Sequence, residues 1–98
     1  MQRGGYVYIM TNRNNTVLYV GVTSQLRNRI MEHRMNRYSN SFTSRYNIAK
    51  LVYFEGYTSI VEAIAREKQI KGGSRAKKIE LIIGFNPDWN DLFNEDLE

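Results

Sequence analysis

Two short runs rich in β-branched and aromatic residues, joined by a polar turn, constrain the fold of this chain most strongly. Residues 5–11 read Gly-Tyr-Val-Tyr-Ile-Met-Thr and residues 16–23 read Thr-Val-Leu-Tyr-Val-Gly-Val-Thr, with Asn12-Arg13-Asn14-Asn15 between them. Alternating β-formers on both sides of an asparagine-rich turn predict a β-hairpin. A turn centred on Arg13-Asn14 predicts a register in which Tyr8 lies directly opposite Tyr19.

The predicted hairpin has two chemically different faces. One face carries only aliphatic residues and is expected to be core: Val7, Ile9, Leu18, Val20 and Val22. The other presents Tyr8 and Tyr19 beside Gly21, whose missing side chain is expected to leave open space. Tyrosines on strands are more often packing residues than catalytic ones, so this face alone does not assign a function.

Helical periodicity and turn residues predict the elements that follow. Residues 24–37 predict a helix capped by Ser24, residues 38–47 a polar loop and residues 48–57 a third strand. The fold class expected is α/β in the α+β sense, a small three-stranded antiparallel sheet flanked by about three helices.

The second half of the chain predicts two further helices. The first spans residues 59–71, begins at Ser59 and ends at Gly72-Gly73, and the second spans residues 75–83 and stops at Gly84. The residues expected to be buried on the first of these helices are Ile60, Ala63, Ile64 and Ile70.

Composition excludes several classes of active site. The chain has 98 residues, which suits one domain, no cysteine and one histidine, His33. Disulfides, cysteine nucleophiles and zinc sites built from Cys and His are therefore excluded. A bound metal would need oxygen ligands, which favours Mg²⁺ or Mn²⁺. Without a signal peptide or a long apolar span, the expectation is a cytoplasmic protein that does not enter a membrane.

The charge is unevenly distributed along the chain. Residues 1–87 carry 14 basic and 5 acidic side chains, a net charge of +9, whereas residues 88–98 carry 5 acidic side chains and no basic one. A basic body favours a polyanionic partner, although a solubilising excess of charge is the alternative. Residues 88–98 form an acidic tail that is either disordered or folded against the basic body.

Glu67 is the residue that the predicted helix explains least. It falls on the stripe expected to be buried, three residues after Ile64 and three before Ile70. A buried carboxylate needs a cation, so Glu67 is either an ion-pair partner of a neighbouring basic residue or a metal ligand. Arg29 and His33, four residues apart, share one side of their helix and are either surface groups or catalytic residues.

Taken together, these residues resemble the GIY-YIG nuclease family. Its elements occur in order as Tyr6-Val7-Tyr8, Tyr19-Val20-Gly21, Arg29 with His33, Glu67 and Asn86. The first triplet departs from the family because Tyr6 stands where a glycine is expected, but Tyr8 is retained. The resemblance covers about residues 4–87 and is strongest to small stand-alone bacterial members. The family also includes the nuclease domain of the excinuclease C subunit. It implies one nuclease domain over residues 1–87, followed by the acidic tail 88–98.

This resemblance also implies roles for individual residues. Glu67 would ligate one Mg²⁺ or Mn²⁺ ion, Arg29 would neutralise charge on the phosphate, and Tyr8 or Tyr19 would hold and deprotonate the attacking water. Arg29, the metal and His33 are the expected sources of the positive charge that a tyrosine base needs. Gly21 and Asn86 would support the site.

The expected activity is a metal-dependent endonuclease that hydrolyses DNA, in repair or recombination, with branched or damaged DNA as candidate substrates. A protein partner could supply the specificity that the single domain lacks. The expected phosphate contacts are Arg27, Arg34, Arg37, Arg45, Lys71, Arg75, Lys77 and Lys78.

Two alternatives remain open on the sequence alone. One is a nucleic-acid-binding module without catalysis, and the other is an accessory subunit whose Trp89, Leu92 and Phe93 contact a partner.

Overall fold

Three antiparallel strands form the centre of the computed structural model, which describes residues 4–35, 45–94 and 97. In chain order its elements are β1 (Gly5–Thr11), β2 (Leu18–Thr23), α1 (Leu26–Arg34), β3 (Lys50–Tyr57), α2 (Ile60–Lys71) and α3 (Arg75–Phe85). The strand order is β2-β1-β3, with β1 in the middle. The predicted fold class is confirmed. Most of the polar loop predicted over residues 38–47 lies outside the described residues.

The predicted hairpin is confirmed, but its register is wrong. Tyr8 pairs with Gly21 instead of Tyr19, a shift of two residues, and Tyr19 pairs with Met10. Because successive side chains alternate between faces, a shift of two residues leaves every side chain on its predicted face. Tyr8 and Tyr19 are therefore diagonal neighbours on the same face of the sheet.

The side chain of Asn12 explains why the hairpin loop is longer than predicted. Its Oδ1 accepts hydrogen bonds from the backbone N–H of Thr16 at 2.8 Å and of Val17 at 3.0 Å. Its Nδ2 donates to Thr16 Oγ1 at 2.7 Å. Asn12 therefore closes the loop over the residues that precede β2, and the last strand pair is Thr11 with Leu18.

Helices cover both faces of the sheet. The face predicted to be core packs against α2 and α3 through Val7, Ile9, Val20, Val52, Tyr53, Ala63, Ile70 and Ile82. We call this the α2–α3 face. The opposite face, which we call the α1 face, is also core and contains Tyr6, Tyr8, Met10, Leu26, Ile30, Ile48 and Leu51.

The expectation of open space over Gly21 is wrong, because α1 and its neighbours bury the second face as well. The phenol ring of Tyr8 lies against Gly21, so that a Cβ added to this glycine would overlap the ring. Gly21 therefore makes room for Tyr8 rather than for a ligand.

The helix ends differ from two of the predictions. Ser24 does not cap α1, which has Gln25 at its N-cap without a side-chain hydrogen bond, whereas Ser59 caps α2 by accepting from Val61 N at 3.1 Å. Gly84 does not stop α3, which continues to Phe85. The helix ends there because Pro87 disfavours helical backbone at the residue before it.

One face of α2 differs from the predicted buried stripe. Ala63 and Ile70 are buried, whereas Ile60 and Ile64 remain 37% and 39% exposed. Residues 63, 67 and 70 share one side of a helix, so the stripe that faces the sheet includes Glu67.

The acidic tail packs against the body over its described residues. Leu92, Phe93 and Leu97 join the α1 face, and Leu92 N donates a hydrogen bond to Leu51 O at 2.7 Å. Trp89 packs on the α2–α3 face. The residues that one alternative assigned to a partner protein are therefore partly buried against the chain's own core. Among the described residues, no helix is long and apolar enough to cross a membrane.

Candidate active site

Three of the predicted site residues meet on the α1 face. The hydroxyl oxygen of Tyr8 lies 3.1 Å from His33 Nε2, at hydrogen-bond distance. The ring centroid of Tyr19 is 5.4 Å from that of His33 and 6.3 Å from that of Tyr8. Tyr8 and His33 are buried, whereas Tyr19 is half-buried. Tyr19 is therefore the member of this trio that borders solvent.

His33 is neutral near physiological pH. Burial and, secondarily, the nearby charge of Arg29 lower the pKa of His33 from 6.5 to about 4. This corrects the expectation that His33 supplies positive charge to a tyrosine. A neutral ring leaves one nitrogen as an acceptor, so Nε2 can accept the hydrogen bond from the Tyr8 hydroxyl.

Arg29 lies one helical turn before His33, near the start of α1. Its Nε forms an ion pair with Glu32 Oε1 at 3.3 Å, and about two-fifths of each side chain is exposed, 39% and 42%. Arg29 lines an open groove of about 400 Å³ with Thr23, Gln25, Asn28 and Glu32. The guanidinium is therefore close enough to influence His33 and exposed enough to meet a phosphate.

Glu67 approaches the sheet from the opposite side. It lies on α2 between Ala63 and Ile70, which pack on the α2–α3 face, and only 12% of its side chain is exposed. Its Oε2 accepts a hydrogen bond from Lys71 Nζ at 3.2 Å. The carboxylate on the buried stripe thus has the neighbouring basic partner that one interpretation of the sequence predicted.

The donor set around Glu67 fits a largely hydrated Mg²⁺ or Mn²⁺ ion. Within the described residues no three His, Cys, Asp or Glu side chains come together as a metal cage. Mg²⁺ often binds through one or two carboxylates and keeps several water ligands, so a single carboxylate is a suitable anchor. An ion at Glu67 would take the place of the Lys71 ammonium, whose side chain is 61% exposed and free to move away.

Asn86 forms hydrogen bonds that hold the tail to the sheet. Its Nδ2 donates to Val52 O at 3.1 Å and to Asn90 O at 2.8 Å, while its Oδ1 accepts from Asn90 N at 3.1 Å. These bonds give the buried Asn86 a structural role at the end of α3. Its support of the metal end of the site stays a prediction.

Several of the predicted phosphate contacts already have partners within the chain. Arg34 pairs with Asp91, Lys71 pairs with Glu67, Arg75 donates to Thr16 O at 3.0 Å, and Lys78 donates to Gly73 O at 2.8 Å. Arg45 and Lys77 are exposed and Arg27 is half-buried. Arg37 lies outside the described residues.

A polar network between β3 and α2 was missed in the sequence. Glu55 accepts hydrogen bonds from the hydroxyls of Tyr53 and Tyr57 and from Arg66, whose Nε lies 3.0 Å from Glu55 Oε1. Burial opposes the charge of Glu55, but the hydrogen bonds from Arg66, Tyr53 and Tyr57 lower its pKa below the ordinary value. The signal in the sequence was the spacing of Tyr53, Glu55 and Tyr57, which are two residues apart and therefore lie on one face of a strand.

Comparisons with known proteins show the family and the fold of this chain. A GIY-YIG catalytic domain profile matches residues 4–80. A UPF0213 protein of Syntrophus aciditrophicus is 39% identical over 77 residues, which cover 79% of this chain and 87% of that protein. A UPF0213 protein of Clostridium perfringens is also 39% identical over 77 residues, covering 79% of this chain and 81% of that protein. The solution NMR structure of a UPF0213 protein from Bacillus halodurans matches with a TM-score of 0.57 and 24% identity, covering 96% of this chain and 98% of that one.

Proposed function

This chain belongs to the GIY-YIG nuclease family, and we propose that it is an endonuclease that hydrolyses DNA phosphodiester bonds with one divalent metal ion. The observation that carries the proposal is the hydrogen bond between the Tyr8 hydroxyl and neutral His33, with the half-buried Tyr19 beside them. This arrangement places a neutral base beside a tyrosine that borders solvent. DNA is the proposed polymer because the body of the chain carries a net charge of +9.

Tyr19 is the tyrosine that we assign to the attacking water, because it borders solvent while Tyr8 is buried. The hydrogen bond between the Tyr8 hydroxyl and His33 Nε2 holds the imidazole ring in place beside Tyr19. As the water oxygen bonds to phosphorus, the bond from phosphorus to the leaving deoxyribose oxygen breaks. The proton released by the water goes to His33, the neutral base beside Tyr19.

Arg29 couples phosphate binding to this proton transfer. Its guanidinium neutralises negative charge that develops on the phosphoryl oxygens. In the free protein the charge of Arg29 helps to lower the pKa of His33. A phosphate paired with Arg29 offsets that charge, so the pKa of His33 rises and the ring becomes a better proton acceptor when the substrate arrives.

Glu67 is the proposed metal ligand. A bound Mg²⁺ or Mn²⁺ there would supply positive charge to a phosphate oxygen. Because Glu67 lies on the face of the sheet opposite to Tyr19 and His33, the scissile phosphate would have to lie at an edge of the sheet to meet both. The small exposed fraction of the Glu67 side chain, 12%, supports this role, since a carboxylate held at one place keeps its ligand oxygens preorganised.

The proposal is tested by incubating the purified chain with single-stranded, duplex, branched and damaged DNA in the presence of Mg²⁺ or Mn²⁺. We expect cleavage of at least one substrate, its loss on chelation, and a fall of about 100-fold or more in Glu67→Gln and Arg29→Gln. Glu62→Gln is the matched control for Glu67, because Glu62 is an exposed carboxylate on the same helix.

Equal cleavage by Glu67→Gln and the unaltered chain, or cleavage that survives chelation, would refute the assignment of Glu67. Binding of DNA that depends strongly on salt, with no cleavage of any substrate, would instead support the binding module.

A further inference from the structure

A second basic groove lies between the end of α1 and the start of β3. It has a volume of about 380 Å³ and is lined by Arg13, Arg34, Asn47, Ala49, Lys50 and Asp91. Its three cations come from three separate parts of the chain: the hairpin loop, α1 and β3. Because these separate segments meet at one groove, positive charge is concentrated there. Asp91 of the tail is the carboxylate among the residues that line it.

The carboxylate of Asp91 is held as a bound anion would be. Its Oδ2 accepts from Arg34 Nη1 at 2.6 Å, and its Oδ1 accepts from the backbone N–H of Leu51 at 3.2 Å and of Phe93 at 3.1 Å. The Arg34 guanidinium also lies over the Phe93 ring, 4.9 Å from its centroid. A guanidinium and backbone N–H groups are the donors that proteins use for phosphate oxygens.

The pair formed by Asp91 and Arg34 is open to exchange. Their side chains are 34% and 39% exposed, so water screens the attraction between them. Ion pairs with this exposure contribute at most about fivefold to an equilibrium constant, so a phosphate in the same groove can replace the carboxylate. The backbone contact of Leu92 with Leu51 and the packing of Phe93 hold the tail independently of the charge on Asp91.

We propose that this groove binds a phosphate of the nucleic acid and that Asp91 occupies it in the free protein, competing with the nucleic acid for Arg34. The inference rests on the proposed function, since it assumes a nucleic-acid substrate. Arg13 and Lys50 are new contact residues in this proposal. Arg34 lies five residues after Arg29, about 7.5 Å further along α1 and about 140° around it, so the two guanidinium groups would contact different phosphates.

The experiment compares Asp91→Asn with Asp88→Asn. Both changes remove one negative charge from the tail, but Asp88 is exposed and does not line the groove. Asparagine at position 91 keeps an oxygen that can accept from Leu51 N, so the fold is expected to be retained. Binding of a labelled DNA duplex is measured by fluorescence anisotropy over a range of NaCl concentrations, with a chelator present to prevent cleavage.

Asp91→Asn is expected to bind DNA about two- to fivefold more tightly than Asp88→Asn, the range of a surface ion pair. The logarithmic dependence of its affinity on salt should steepen by about 0.9, the value for one additional phosphate contact. Arg34→Gln combined with Asp91→Asn should abolish the gain. Arg34→Gln alone should weaken binding, because it removes the guanidinium that the phosphate takes over from Asp91.

A second variant keeps the proposal testable if Asp91→Asn unfolds. Lys50→Gln should weaken binding and reduce the salt dependence, without any change at Asp91. Equal affinities for Asp91→Asn and Asp88→Asn, or for Lys50→Gln and the unaltered chain, would overturn the proposal while DNA binding itself persists. If neither the unaltered chain nor any of the variants binds DNA, the proposed function fails instead.

Discussion

A histidine on a helix ordinarily titrates close to neutral pH, and its position in the sequence does not reveal whether it is charged. His33 is 4% exposed and lies beside Tyr8, Tyr19 and Arg29. The helical spacing of Arg29 and His33 could be predicted from sequence, because it depends only on local geometry. The charge of His33 could not, because its burial depends on side chains from β1 and β2 that are distant in the chain.

The lowered pKa of His33 predicts a pH dependence of stability. As pH falls below about 6.5 the histidine of the unfolded chain takes up a proton, whereas that of the folded chain does so only near pH 4. The unfolded state binds more protons between these values, so the free energy of unfolding should rise with pH from about 4 to 6.5, by at most about 3 kcal/mol, and level off above.

Urea unfolding of the unaltered chain and of His33→Gln over this pH range measures the effect. Glutamine can still accept a hydrogen bond from Tyr8 but does not titrate, so the difference in stability between the two proteins should vary with pH. A constant difference between pH 4 and 7 would mean that His33 has the same pKa in the folded and unfolded chains. Carboxylates that titrate in this range contribute equally to both proteins, so their contributions cancel in the difference.

The single helices and strands were the part of the structure that the sequence predicted best. The hairpin, β3 and both C-terminal helices follow from the alternation and spacing of apolar residues. The register failed because the Asn12 side chain lengthens the loop, and the same residue could equally have occupied a shorter turn. Tyr8 and Tyr19 were nevertheless predicted to be neighbours on one face, since a shift of two residues preserves faces.

Two serines that look alike in the sequence provide a test of the helix ends. Ser59 Oγ accepts from Val61 N, whereas at α1 the hydroxyl of Thr23 accepts from Gln25 N at 3.0 Å and Ser24 is exposed. Ser59→Ala should therefore lower the free energy of unfolding by about 1 kcal/mol, the usual effect of losing an N-cap. Ser24→Ala, the matched control, should change it by less than about 0.5 kcal/mol.

Chemical denaturation of both variants at one pH gives these values directly. A loss for Ser24→Ala as large as that for Ser59→Ala would mean that Ser24 caps α1 in solution, as the sequence suggested.

At the scale of the whole molecule, the arrangement of elements around the sheet was the part that sequence could not supply. Glu67 was correctly expected on a buried stripe, but the stripe does not reveal that α2 lies on the side of the sheet opposite to α1. Likewise, the acidic composition of residues 88–98 is compatible with a free tail. Only the unpaired edge of β3 near Leu51 and the apolar α1 face explain why the tail packs there.

Removal of the tail should therefore destabilise the domain. A chain that ends at residue 88 loses the packing of four half-buried side chains, Trp89, Leu92, Phe93 and Leu97. It also loses the hydrogen bond from Leu92 N to Leu51 O. Burial of this much apolar surface corresponds to roughly 2–4 kcal/mol, and the free energy of unfolding should fall by that amount. Urea denaturation of the shortened and full chains measures the difference.

Loss of negative charge is the competing explanation, because the tail offsets part of the +9 charge of residues 1–87. High salt separates the two causes, since it screens repulsion between surface charges but does not weaken apolar packing. We expect the destabilisation to persist at high salt, and Leu92→Ala, which leaves every charge in place, to reproduce part of it. Recovery of full stability in salt by the shortened chain would assign the effect to charge and would mean that the packed tail adds little to the fold.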